Sequence, residues 1–185
     1  MAAQTRISCA GSLAFALLAC NSVSAETNTG LANIGTGVAI ALPIAAAGIS
    51  YWKDDWQGIG QLAFTTGATV GTALLLEKFV KEERPDMSDN RSFPSDTAAL
   101  AFAPASYLWY RYGWEYGVPA YAAATFSGYT RVASENHHWW DVAASAGIAW
   151  GYTFLFVRHW QRAYNLESAV EVTPRSALVS LSYRW

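Results

Sequence analysis

Cysteine is almost missing: the 185 residues contain two, Cys9 and Cys20, both near the N-terminus. If the first 25 residues are removed on export the remainder has none, which excludes a disulfide framework and a thiolate nucleophile. Charge is scarce as well. Asp, Glu, Lys and Arg make up 14% of the chain, against roughly 25% in ordinary soluble domains. A net charge of −2 supplies no basic field, so nucleic acid is set aside as a partner. No internal repeat or low-complexity block stands out.

Apolar residues fill the space that charge leaves, at 52% of the chain. Five stretches carry no charge: Leu31–Trp52, Gly58–Leu76, Thr97–Tyr110, Tyr116–Thr130 and Val142–Val157. Alanine, leucine and glycine dominate them, and lengths above about ten residues favour helix over strand. Pro43, Pro104 and Pro119 fall within them or at their starts, where kinks or helix starts are expected. The expected fold is all-α, a bundle of five to six helices. A water-exposed bundle would keep charge on its outer faces. The first two stretches are long enough to cross a bilayer and the later three are short for it, so a membrane-embedded bundle is favoured over a compact periplasmic one. Nine tryptophans and ten tyrosines fit either core packing or a belt at a membrane–water interface.

Both ends read differently from the middle. Arg6, the apolar "CAGSLAFALLAC" and the small-residue "VSA" before Glu26 are expected to form a signal peptide over 1–25. An uncleaved first helix or a lipoprotein box ending at Cys20 are the competing readings. The helical domain is expected over 26–165. The tail, 166–185, alternates apolar and polar residues around Thr173-Pro174-Arg175, as a short β-hairpin would.

Three polar clusters punctuate the apolar stretches: "EKFVKEERPD" (Glu77 to Asp86), "NRSFPSDTA" (Asn90 to Ala98) and "TRVASENHHWWD" (Thr130 to Asp141). Two crossings separate the loops that hold them, so all three share one side of the membrane. With an exported N-terminus that side is the periplasm, and Arg158, His159 and Arg162 then face the cytoplasm. Within the third cluster, His137 and Asp141 are one helical turn apart. The aspartate is expected to accept the Nδ1 proton and leave Nε2 free. Arg131 and Arg84 offer planar forks for phosphate oxygens. Ser95, just before an uncharged helix, can present its hydroxyl and nearby N–H groups to an anion. The set points to phosphoryl chemistry with a histidine nucleophile. Zinc at His137, His138 and Asp141 is the alternative, and no further ligand stands at a convincing spacing.

In the order and spacing of these motifs the chain resembles the type 2 phosphatidic acid phosphatase superfamily, over roughly Gly58 to Val157. That superfamily also contains bacterial acid phosphatases and vanadium haloperoxidases. Arg131, His137 and Asp141 fall on its third motif, with Thr130 in place of serine. Arg84 and Pro85 fall on the first, whose lysine position holds Glu77, with Lys78 one residue late. Pro94 and Ser95 fall on the second, where Asp96 and Thr97 replace glycine and histidine. The resemblance implies a phosphatase of the bacterial cell envelope, acting on a phosphorylated lipid or small phosphate ester. His137 would be the nucleophile, forming a phosphohistidine, with Arg84, Ser95, Arg131 and Lys78 binding phosphate. It implies no metal or other cofactor. The family's histidine protonates the leaving oxygen; a threonine hydroxyl cannot, so Asp96 and His138 are the candidates for that role. The alternative is a phosphate- or lipid-binding membrane protein of the same fold that has lost the acid.

Overall fold

The computed structural model describes residues 29–159 in full and, over 10–28, a backbone continuous with the first helix. The expected signal peptide (1–25) and C-terminal hairpin (166–185) lie outside the fully described residues. Five helices follow one another: α1 (Ala10–Trp52), α2 (Trp56–Phe79), α3 (Asp96–Tyr112), α4 (Trp114–Ala133) and α5 (Trp139–Phe156). Each described helix falls on one of the five uncharged stretches. Pro43, Pro104 and Pro119 lie inside helices rather than starting them.

Local chemistry sets the boundaries. The Asp55 side chain accepts the Gly58 N–H at 2.8 Å and caps α2, while Ser95 caps α3 by accepting from Ala98 N at 3.3 Å. Such caps satisfy backbone donors that have no partner inside the helix. Gly113, at φ 93°, ends α3 and begins α4 in a single residue. That conformation is open to glycine and strained for a side chain.

Helix α3 is the central element and touches α1, α2, α4 and α5. Its small residues Ala98, Ala99, Ala101, Ala103 and Ala105 are all buried, so the neighbouring helices approach closely. Small and hydroxylated residues line the inside elsewhere too. Ser50, Thr65, Thr69, Ser127, Ser145 and Thr153 are buried, and several bond back to their own helix, as Thr69 does to the Thr65 carbonyl at 2.7 Å. Outside, the pattern is apolar: Ile44, Phe64, Leu75 and Leu155 are exposed. Small and polar within, large and apolar without, is how helices pack in lipid. Two helices, Thr29–Trp52 and Trp56–Phe79, are long and apolar enough to cross a bilayer. Trp52, Trp56, Trp114, Trp139 and Trp140 are exposed at helix ends, which favours the interfacial belt over core packing for these rings.

Among the described residues, charged side chains are confined to the two poles. At one, the α2–α3 loop docks on the α4–α5 turn through Asp86 N–H to the Glu135 carbonyl at 3.2 Å. At the other, Asp55 and Arg111 form a buried bidentate ion pair. Arg111 also donates to Gln61 Oε1 at 2.9 Å and to the Arg158 carbonyl at 2.7 Å. A Cβ on Gly58 would overlap Asp55, Tyr107 and Arg111, so glycine there makes room for the pair.

Candidate active site

The three motif clusters meet at the first pole. Ser92, in the loop before α3, organises the meeting. Its carbonyl accepts the His137 Nδ1 proton at 2.7 Å, and its hydroxyl donates to Asp141 Oδ2 at 2.5 Å. The imidazole is therefore fixed in the tautomer that leaves Nε2 unprotonated, and Nε2 has no hydrogen-bond partner among the described residues.

This corrects the expected link between His137 and Asp141. The spacing argument assumes that both stand on one helix, but α5 begins only at Trp139. His137 precedes the cap, and its Nδ1 lies 3.7 Å from Asp141 Oδ2. Asp141 is the third residue of α5, and its Oδ2 accepts the His138 N–H at 2.7 Å, half of a capping box. It shapes the turn that carries His137 instead of orienting the ring directly.

Two arginines stand around this pole. Arg84 and Asp96 lie within electrostatic reach of both His137 and Arg131. Arg131 is buried; its Nη2 donates to the Ala32 carbonyl of α1, while its Nε is buried without a partner. Arg84 is half-buried and paired with Asp89 at 2.8 Å. Its turn is closed by Arg84 N–H to the Asp89 carbonyl at 3.0 Å. Met87 and Glu135, on the two docked loops, stand at φ 56° and 58°, a conformation that costs a side chain roughly 1–2 kcal/mol.

Burial, above all, holds the His137 imidazole below its usual value, and Arg84 adds to the effect. The Ser92 carbonyl, Asp141 and Asp96 pull the other way without offsetting it. A neutral imidazole with one free ring nitrogen is able to act as a nucleophile.

The remaining expected residues are placed as follows. Ser95 is fully buried and its hydroxyl is the α3 cap; its carbonyl accepts from Ser145 at 2.7 Å, tying the second motif to α5. Asp96 is half-buried, with Oδ1 accepting from Thr97 N at 2.5 Å and from Thr97 Oγ1 at 3.1 Å. Thr130 bonds to the Ser127 carbonyl at 2.7 Å. Lys78 is not brought to the cluster: it is exposed and lines a side cleft with Glu77, Lys81, Asn90 and Arg91. His138 is partly exposed and stacks on Trp140, with ring centroids 4.3 Å apart. Its Nδ1 lies 3.8 Å from Glu82 and 3.5 Å from Asp141.

Glu82, His138 and Asp141 are the group that could hold a cation among the described residues. One oxygen of each carboxylate is engaged, Glu82 Oε1 by Trp140 Nε1 at 2.6 Å and Asp141 Oδ2 by His138 N and Ser92 Oγ, while Asp141 Oδ1 is buried without a partner. Sequence reasoning missed Ser92, Ser145 and Glu82. Of these, Ser92 and Glu82 lie inside the quoted clusters, yet no spacing rule marks a residue that acts through its carbonyl.

Two guanidinium groups and one tautomer-locked imidazole thus stand at a single pole of a helical bundle with an apolar exterior. The sequence profile described as "PAP2 superfamily" matches residues 58–165, and the chain belongs to that superfamily. A lipid A 4'-phosphatase of Helicobacter pylori is 29% identical, over 78% of this chain and 80% of that protein. A lipid A 1-phosphatase of Porphyromonas gingivalis is 32% identical over 54% of this chain, which spans 25% of that protein's length. Among solved structures, LpxE of Aquifex aeolicus superposes with a TM-score of 0.58 at 20% identity, over 72% of this chain and 84% of that one. That likeness shows the fold.

Proposed function

We propose that the chain is an envelope phosphatase that removes a phosphomonoester or pyrophosphate group from a lipid. The reaction runs through a phosphohistidine at His137, on the periplasmic side of the inner membrane. The observation that carries this reading is the imidazole locked by the Ser92 carbonyl at 2.7 Å, within electrostatic reach of Arg84. Nε2 attacks phosphorus while Arg84 and Arg131 hold the equatorial oxygens and stabilise the charge gathering there. The bond to the leaving oxygen breaks, and that oxygen takes a proton. Water then attacks the phosphohistidine and releases inorganic phosphate and the free imidazole.

Thr97 cannot deliver the proton. Asp96, adjacent to Thr97 and within reach of His137 and Arg131, is assigned that role. The lipid A phosphatases among the relatives support a phosphorylated lipid as substrate, and the apolar helix exteriors support its delivery from the bilayer.

Trapping with radiolabelled phospholipid tests the reading. Wild type is expected to carry acid-labile phosphoprotein, and His137→Ala to carry none and to lose turnover by roughly 10³-fold or more. Turnover that survives in His137→Ala overturns the mechanism. Asp96→Asn is expected to slow an alkyl phosphate by about 10²-fold or more and an aryl phosphate, whose leaving group needs little protonation, far less. A second reading, phosphate-lipid binding without catalysis, is favoured by Thr97 and by Glu77 at the lysine position; it predicts binding by wild type with no phosphoprotein.

A further inference from the structure

Glu82, on the loop after α2, meets His138 and Asp141 at the start of α5, with their ligand atoms within 4.8 Å of one another. The His138 ring lies flat against Trp140, 4.3 Å between centroids. Its Nδ1 stands 3.4 Å from Ser92 Oγ, 3.5 Å from Asp141 Oδ2 and 3.8 Å from Glu82 Oε1. These separations are longer than the roughly 2.7–3.2 Å of an ordinary N–H···O bond. They suit another geometry, since ligands about 2.0–2.2 Å from a tetrahedral ion stand roughly 3.3–3.6 Å apart. With its proton on Nε2, the ring presents a lone pair on Nδ1. His137 is outside the set, because its Nδ1 is given to the Ser92 carbonyl.

Asp141 supplies an independent observation. It is fully buried, its Oδ1 has no hydrogen-bond partner, and among the described residues no lysine or arginine pairs with it. Buried charges are as a rule paired or bound to a metal. The hydrogen bonds already present are compatible with an ion. A carboxylate offers about four lone-pair sites, so Trp140 Nε1 on Glu82 and the Ser92 and His138 donors on Asp141 leave room on each. Donors of this kind orient ligating carboxylates from the outer shell. The His138 and Glu82 side chains are 26% and 28% exposed, which opens a path from solvent.

We propose that Glu82, His138 and Asp141 bind one divalent transition-metal ion of the zinc class, with solvent at the remaining position. An imidazole among carboxylates suits zinc, cobalt or nickel, whereas magnesium and calcium take oxygen ligands. The ion joins the loop that carries Arg84, two residues beyond Glu82, to the turn that carries His137. Its role is structural: no step of the proposed hydrolysis passes through it, and the site stands or falls separately from the phosphatase reading.

The test uses the full, untagged chain in detergent micelles, stripped with a chelator and titrated with Zn²⁺ by calorimetry, with the thermal unfolding midpoint followed in parallel. Wild type is expected to take up one equivalent and to unfold at a higher temperature once loaded. Glu82→Gln and His138→Gln are each expected to weaken that uptake by roughly 100-fold or more, since even an outer-shell partner is worth about 10- to 100-fold. Glu82→Gln keeps an acceptor for Trp140 Nε1, so it removes a ligand while sparing the fold; its metal-free midpoint should match that of stripped wild type. No zinc uptake by wild type overturns the proposal, as does equal zinc affinity in wild type and Glu82→Gln. Uptake abolished by His159→Gln instead places the ion at the other pole and also overturns it. Mg²⁺ binding as tightly as Zn²⁺ overturns the assigned class of ion. Binding and unfolding are the readouts, so a chain without turnover, which sinks the phosphatase reading, leaves this test intact.

Discussion

His137 owes its properties to two neighbours of different kinds. The Ser92 carbonyl fixes which nitrogen is free, and burial lowers the ring's affinity for a proton. The direction has a kinetic consequence. A ring with a depressed pKa stays neutral at pH values where an imidazole in water is already charged, so on the proposed mechanism the nucleophile would survive into mild acid. The acidic limb of kcat/KM, which reports the free enzyme, is expected to fall below about 6.5, the ordinary imidazole value. A pH–rate profile with its acidic limb above that value would contradict the burial argument. Stability runs with the same sign: the unfolded chain takes up a proton near pH 6.5 that the folded one refuses. This contribution is present at neutral pH and is lost as pH falls.

The residues proposed to carry the chemistry stand out in the sequence because they lie at set offsets. Arg131, His137 and Asp141 lie within twelve positions of Thr130, and Ser95 lies two positions before an uncharged stretch. What the offsets could not show is that the turn into α5 begins after His137. The ring therefore turned to Ser92, 45 positions earlier, where no periodicity points.

Helix α3 links the two poles. Ser95 caps its first turn, and Arg111 in its last turn is held by Asp55 from the α1–α2 turn. Burial works against the Asp55 charge, but hydrogen bonds from Arg111, Tyr112 and Gly58 outweigh it and hold the carboxyl below its usual range. Its contribution is therefore complete above the ordinary carboxylate value and lost as pH falls through the depressed one. Asp55→Asn leaves a buried guanidinium without its counter-charge. It is expected to cost about 3–5 kcal/mol, read as a lowered midpoint of thermal unfolding in detergent. A midpoint within a degree of wild type would show the pair to be dispensable. Nothing in the sequence announced this pair. Its members are 56 positions apart and fall in no motif, whereas the five helices were plain from the absence of charge, a direct consequence of what their surfaces must face.

At the scale of the molecule, the bundle inverts the usual distribution. Hydroxyl groups and alanines sit inside, while large apolar side chains and tryptophans sit outside. Composition alone left core and belt as equal readings for the aromatics. Only the position of the rings at the helix ends separates them, and that depends on where helices stop.

The α3 strut has a further mechanical meaning. Its 17 residues rise about 26 Å, less than the roughly 30 Å of a typical hydrocarbon layer. A molecule pinned by water-seeking groups at both tips cannot slide freely along the membrane normal. On the proposed function, the pole that holds His137 is therefore expected to rest slightly below the headgroup plane, where a lipid ester would reach it without being hoisted out of the leaflet. Turnover is expected to peak in vesicles of shorter acyl chains and to decline steadily as the bilayer thickens. A flat dependence on chain length would mean that the cradle's depth is not set by the strut.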